Sequence, residues 1–371
     1  MSEYQYYEFQ AIDQPLTAEA QEEMHHLSSR VDLTSNSASF VYNYGDFRGD
    51  PVEVLTKYFD AMLYITNWGT RQIMFRFPRR ALPPNVQTQY PSLEWQTAGE
   101  YVVLDILSED EEGEGDWGWV DGEDTLPGIA PLRNDILRGD LRALYLAWLV
   151  QVQFEYDILE PDEDLAGPPV PPNLKNLSPA LRSFMDFFEL DPDLVTAAAQ
   201  SSPSMEPSDE ALAAHLDQLP EHEKRDFLLR VLRREAHLDV ALVMRLRELA
   251  GSEQQAPAET RCSARQLFAT VPQVKEQRLA AERKQAEIAR LKKLERVAQQ
   301  ESKMWARVPG LIERKNGSAY DEAVGLLSDL RDLAEHQSRG ATFYEKMGEI
   351  KAQYPTLRGL HQRMREAKLI S

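Results

Sequence analysis

The sequence of 371 residues contains one cysteine, Cys262, seven histidines and no stretch of eighteen uncharged apolar residues. A single thiol closes no internal disulfide and supplies no cysteine-based zinc site, which excludes extracellular stapling and zinc-finger chemistry. The missing apolar run predicts no membrane-spanning helix and no membrane partner. The opening MSEYQYYEFQAID carries acids where a signal peptide would carry bases, so the expected location is cytoplasmic. Glycine is equally uninformative about phosphate binding, because neither Gly-x-x-x-x-Gly-Lys-Ser/Thr nor Gly-x-Gly-x-x-Gly occurs. His-Glu-x-x-His, Cys-x-x-Cys and Gly-x-Ser-x-Gly spacings are absent too, and the expectation is no metal, no cofactor and no catalytic constellation.

Acid is abundant, with 61 Asp and Glu against 41 Lys and Arg for a formal charge of −20. The charge is unevenly spread. Positions 1–172 hold 10 basic and 31 acidic residues (−21), 173–260 hold 9 and 16 (−7), and 261–371 hold 22 and 14 (+8). An acidic head and a basic tail predict either separate roles or electrostatic attraction between them.

The head alternates strand and helix signals. Strands are expected at 4–12, 31–43, 71–77 and 100–107 from aromatic and β-branched enrichment with alternation. Helices are expected from Thr17 to about Arg30, from Pro51 behind the N-cap Asp50 to about Thr66, and from Asn134 to Phe154. The fold class is therefore α+β, an N-terminal α/β sandwich-like domain followed by an all-α region with a long helical arm. The expected domains are an acidic α+β domain at 1–158, a Pro-rich linker at 159–173, a helical bundle at 174–251, a linker at 252–271, a long basic helix at 272–309 and a C-terminal helical module at 310–371. The first linker rests on EPDEDLAGPPVPP, whose five prolines give an extended connector. The long helix rests on Pro272 to Val308, where neither Gly nor Pro intervenes. Its heptad seam of Val274, Ala281, Ile288, Leu291, Ala298 and Trp305 is interrupted by Gln277, Lys284 and Glu295, a weak pattern for a coiled coil.

Candidate contact residues follow from exposure expected by pattern. Trp117 and Trp119 sit in the acidic segment 108–128 and would share one face of an extended strand, where tryptophan can anchor a partner. Folding back over the sheet is the blander reading of the same pair. Oxygen ligands in that segment could attract a hard cation, but the spacing is not that of a calcium loop. On the arm, Arg290, Lys292 and Lys293 with Trp305 lie in a stretch, 275–315, that carries 12 basic and 6 acidic residues. Such charge can meet nucleic-acid phosphates, although the interleaved aromatics of single-strand binders are missing and a solvated, partner-facing helix is the alternative. Arg71, Arg76, Arg79 and Arg80 form the only basic spot of the head, able to accept an acidic ligand or to balance the head's own acids.

Five segments also carry a resemblance: YYEFQAIDQPLT at 6–17, YGDFRGDP at 44–51, YFDAMLYITNWGTR at 58–71, LSPALRSFMDFFELDPDL at 177–194 and YDEAVGLLSDLRDLAE at 320–335. Together they resemble a family of uncharacterised bacterial proteins, which implies an origin but no reaction. The last segment with the tail to Leu369 is also similar to the C-terminus of SWIM zinc-finger proteins. The zinc ligands of that finger are missing, so the resemblance implies at most a shared docking module, with a SWIM zinc-finger protein as partner.

The favoured expectation is a non-enzymatic interaction or adaptor protein that docks a protein partner through its helical C-terminal half. A nucleic-acid accessory factor acting through the basic helix is the alternative. An enzyme is a third, with Asp46, Asp50, Arg71 and Arg76 as first suspects.

Overall fold

A computed structural model describes residues 3–83, 85–109, 122, 124–155, 164–204, 213–233, 238–250 and 260–370. The chain forms two compact units, 1–275 and 276–371. The α+β head followed by helices is as the pattern predicts.

The first unit is built on a seven-stranded sheet in the order β2-β3-β1-β4-β5-β7-β6. Its strands are β1 (Gln5–Gln10), β2 (Asp32–Leu33), β3 (Ser37–Tyr42), β4 (Ala61–Thr66), β5 (Arg71–Pro78), β6 (Glu94–Ala98) and β7 (Tyr101–Ser108), and every pairing is antiparallel. Period-two alternation divides the strand side chains between two cores. Tyr7, Phe9, Phe40, Met62, Met74 and Val103 meet α1 (Ala18–Leu27) and α2 (Pro51–Tyr58). Leu63, Ile73, Phe75, Phe77, Leu104 and Ile106 face a larger helical layer. That layer holds α4 (Leu126–Ile129), α5 (Pro131–Leu137), α6 (Arg142–Glu155), α7 (Pro179–Phe187) and α8 (Pro192–Gln200), while the short α3 (Val86–Gln89) lies before β6.

Both expected helix starts of the sheet layer hold. Thr17 Oγ accepts from the Ala20 amide at 3.2 Å, and the Asp50 carboxylate accepts from Val52 and Glu53. The helix expected to reach Thr66 is shorter. α2 stops at Tyr58, the Asp60 amide bonds to the Gln10 carbonyl at 2.9 Å, and Ala61–Thr66 is a central strand. Val54, Leu55, Tyr58, Phe59, Met62 and Leu63 keep helical spacing across the break, because a strand buried on both faces is apolar at every position. The single helix expected over 134–154 is two, divided where Gly139 takes a φ of +81° that only glycine accepts without strain. Strand β6 was not expected and pairs with β7 as a hairpin edge.

The Pro-rich connector does not separate two cores. Leu174, Phe184, Phe188, Leu194 and Leu267 pack in one cluster with Phe75, Trp148 and Leu149. Gly167, in the described part of that connector, runs so close to Cys262 that an added Cβ would stand 1.9 Å from the Cys262 carbonyl oxygen. Beyond it come α9 (Glu221–Leu232) and α10 (Leu238–Ala250).

Helix α11 (Ala264–Ile312) has 49 residues, longer at both ends than the pattern predicts, and passes through Pro272 and Pro309. Its final turns join α12 (Gly317–His336), α13 (Gly340–Gln353) and α14 (Arg358–Glu366) in the second unit. Val308, Leu311, Leu327, Leu330, Met347 and Leu360 form the core there. Asn316 caps α12 by accepting from the Ala319 amide at 2.8 Å. No helix among the described residues is long and apolar enough to cross a membrane.

Two predictions follow from this packing. Gly167→Ala lowers stability by about 1–3 kcal/mol in urea unfolding, since the backbone must give way to the methyl group. The second concerns Asp105 on β7, whose carboxylate accepts from Gln72 Nε2 at 2.8 and 2.9 Å. Burial pushes that carboxyl up to about 6, and Glu94 adds to the rise while Gln72 opposes it. A raised folded-state value means that this group favours folding fully below its ordinary value of 3.8 and loses that contribution as pH climbs through about 6. Asp105→Asn is therefore expected to flatten the melting temperature between pH 4 and 7, and to stabilise the protein at pH 7.5 by on the order of 2 kcal/mol.

Candidate functional site

The ends of β1, α2 and β5 meet at a concentration of buried charge. Arg133 on α5 is fully buried, and its two Nη atoms donate to the two Asp13 carboxylate oxygens at 2.8 Å each. Its Nε donates to the Arg76 carbonyl at 2.6 Å. Asp60 lies between the guanidinium groups. Its Oδ1 accepts from Arg76 Nη2 at 2.7 Å and Arg133 Nη2 at 3.3 Å, and its Oδ2 accepts from the amides of Ile12 and Asp13 at 2.7 and 2.9 Å. Arg76 Nη1 donates to the Thr56 carbonyl in the last turn of α2, where the helix dipole favours a cation. The two carboxylates and two guanidinium groups cancel, which is how ions so deeply placed avoid a desolvation cost of several kcal/mol each.

A cleft of about 540 Å³ opens over this network, lined by Asp13, Asp60, Arg76 and Tyr101 as floor and wall, with Lys57, Arg79, Arg80 and Glu100 at its rim. The Arg76 guanidinium lies 4.3 Å from the centre of the Tyr101 ring. Lys57 Nζ stands 4.9 Å from the Tyr58 ring, and Arg80 is 3.8 Å from Glu100 with both side chains largely in solvent. Arg79 is fixed through its backbone, whose amide donates to the Glu100 carbonyl at 2.9 Å. Five of the ten basic residues of positions 1–172 thus line the cleft or bond to its lining.

Of the basic spot read from the sequence, the fold gathers Arg76, Arg79 and Arg80 and sends Arg71 elsewhere. Arg71 and Arg76 have opposite parity on β5, and Arg71 pairs with Glu189 at 2.5 Å beside a smaller hollow that includes Ser183 and Asp186. Asp50 is occupied as the cap of α2, and Asp46 accepts from Gln5 at 3.4 Å. The four enzyme suspects consequently form no single site. Asp13, Asp60 and Arg133 escaped the sequence reading, because their partners are 16 to 120 positions away. The one local signal was an acid, Asp60, inside an otherwise apolar run.

Trp117 and Trp119 lie outside the described residues, as does most of the acidic segment around them. Among the described residues no group of three His, Cys, Asp or Glu is placed to hold a metal ion. On α11, Lys292 is exposed, Arg290 lies 3.8 Å from Glu287, and Lys293 pairs with Asp329 at 2.5 Å. Trp305 packs at the edge of the C-terminal core, 5.8 Å from Phe343, with Lys346 Nζ 4.7 Å from its ring. Cys262 is half-buried, its sulfur 3.4 Å from Ser201 Oγ.

A different feature of the helical half escaped the sequence reading. No residue of α9 is buried, and Leu228, Leu229, Val231 and Leu232 are 67, 41, 57 and 79% exposed. At 100° per residue they fall within an arc of about 160°. From Lys275 to Lys293 every residue of α11 is exposed as well, including Leu279, Ile288 and Leu291. The FLLRVL segment was the available signal, a broad apolar face that resembles a core helix until its neighbours are known.

The buried network yields a stability prediction. Arg133→Met keeps most of the side-chain volume but leaves Asp13 and Asp60 short of a counter-charge, and is expected to cost about 3–5 kcal/mol in denaturant unfolding.

Protein-family models, curated proteins and solved structures were each compared with this chain, and none of the three yields a match.

Proposed function

We propose that this is a non-enzymatic cytoplasmic interaction protein that docks a protein partner through its helical C-terminal half. The observation that carries the reading is the distribution of exposed large apolar side chains. Nine of the thirteen among the described residues fall between Leu216 and Tyr344, and four of them crowd the last five positions of α9. Surfaces of this kind mark contact sites when they are contiguous. The exposed stretch of α11 with Arg290, Lys292 and Lys293 is the second element of the docking half. A SWIM zinc-finger protein is the first partner to try, on the similarity of the C-terminal segments.

The basic helix keeps the nucleic-acid reading as the alternative. Several of its cations are already matched within the chain, Arg278 by Glu282 and Lys293 by Asp329 among them.

Cross-linked capture by the full-length protein separates these readings. Leu228→Asp with Leu232→Asp introduces charge on side chains that are 67 and 79% exposed, so folding should be retained and partner recovery should fall at least tenfold. Unchanged recovery contradicts the role of α9. Mobility shift with a duplex at low salt is expected to be weak; tight binding that collapses between 50 and 200 mM salt would favour the alternative.

A further inference from the structure

We infer that the cleft over the Asp60 network is a binding site for a small anion carrying at least two phosphate or carboxylate groups. Positions 1–172 carry a net charge of −21, yet this cleft has the opposite character. Asp13 and Asp60 are neutralised by Arg133 and Arg76 through bonds of 2.7 to 3.3 Å, so the floor contributes polarity without net charge. The rim then decides the sign. Among the lining residues Lys57, Arg79 and Arg80 stand against Glu100, and Glu23 and Glu53 act on Lys57 from α1 and α2, so the positive character of this concavity of about 540 Å³ rests on Arg79 and Arg80. That volume lies within the range of small-molecule sites.

The rim cations are available to a ligand. Arg79 has no side-chain partner among the described residues, and the Arg80–Glu100 contact of 3.8 Å between two solvent-exposed side chains is easily exchanged. Arginine forks suit phosphate and carboxylate oxygens in paired geometry. Thr17, the N-cap of α1, also lines the cleft, so the positive end of that helix dipole faces the same space. The backbone behind the two arginines is fixed, because β5 and β7 are paired through Pro78 and Tyr101 and the Arg79 amide is bonded to Glu100. A tied backbone with free cationic ends is suited to binding an anion with little reorganisation.

Titration calorimetry on the full chain, with pyrophosphate in one arm and citrate in the other at constant ionic strength, tests the assignment. At least one anion should bind the wild-type protein and raise its melting temperature, and the arm that responds tells phosphate from carboxylate. Arg79→Ala with Arg80→Ala, both exposed and outside the buried network, should weaken that binding at least tenfold. Arg30→Ala, an exposed cation past the far end of α1, should leave it within twofold. The assignment is overturned if neither anion binds, if the double variant binds as the wild type does, or if Arg30→Ala weakens binding equally.

Discussion

A carboxylate shut away from water must be matched atom for atom, and in this protein Asp60 sets that requirement. It terminates the loop between α2 and β4, where the chain leaves a helix and enters the middle of the sheet. Each of its oxygens accepts two donors, one oxygen from Arg76 and Arg133, the other from the amides of Ile12 and Asp13. Arg133 belongs to the helical layer on one face of the sheet, whereas Asp13 leads into α1 on the other. The same group of charges therefore ties both layers to the strand ends. Hydrophobic burial supplies most of the folding free energy, and the directional bonds fix where the layers end.

The polar network also explains the contrast between the floor and the rim of the cleft. Charges that neutralise one another beneath the surface hold the backbone in place, while the exposed ends of Arg79 and Arg80, the latter only loosely paired with Glu100, keep their positive charge at the surface. An acidic domain thereby presents a local positive concavity. The helical half has a different chemistry, since its exposed surface on α9 and on the middle of α11 is apolar and basic. The chain total of −20 conceals both of these surfaces.

Legibility in the sequence followed the range of the interactions. Caps are local, and Thr17 and Asp50 each mark a helix start where the structure has one. One-sided strands such as Ser37–Tyr42 alternate and can be read, while β4, covered on both faces, merged with the preceding helix. The extent of α11 was understated because Pro272 and Pro309 read as limits. Strand order and the Asp13–Asp60–Arg76–Arg133 group depend on pairs far apart in the chain, which no local pattern encodes. The basic spot was visible as a cluster of arginines; the division of Arg71 from Arg76 needed the parity and the depth of β5.

The most direct measurement of the central claim is a double-mutant cycle on Asp13 and Arg133, with Asp13→Asn, Arg133→Met and their combination followed by urea unfolding. If the buried pair fastens the two helical layers, the losses are strongly non-additive, with a coupling energy of about 2 kcal/mol or more. Additive losses, to within about 0.5 kcal/mol, would contradict the account and reduce Arg133 to an ordinary packed side chain.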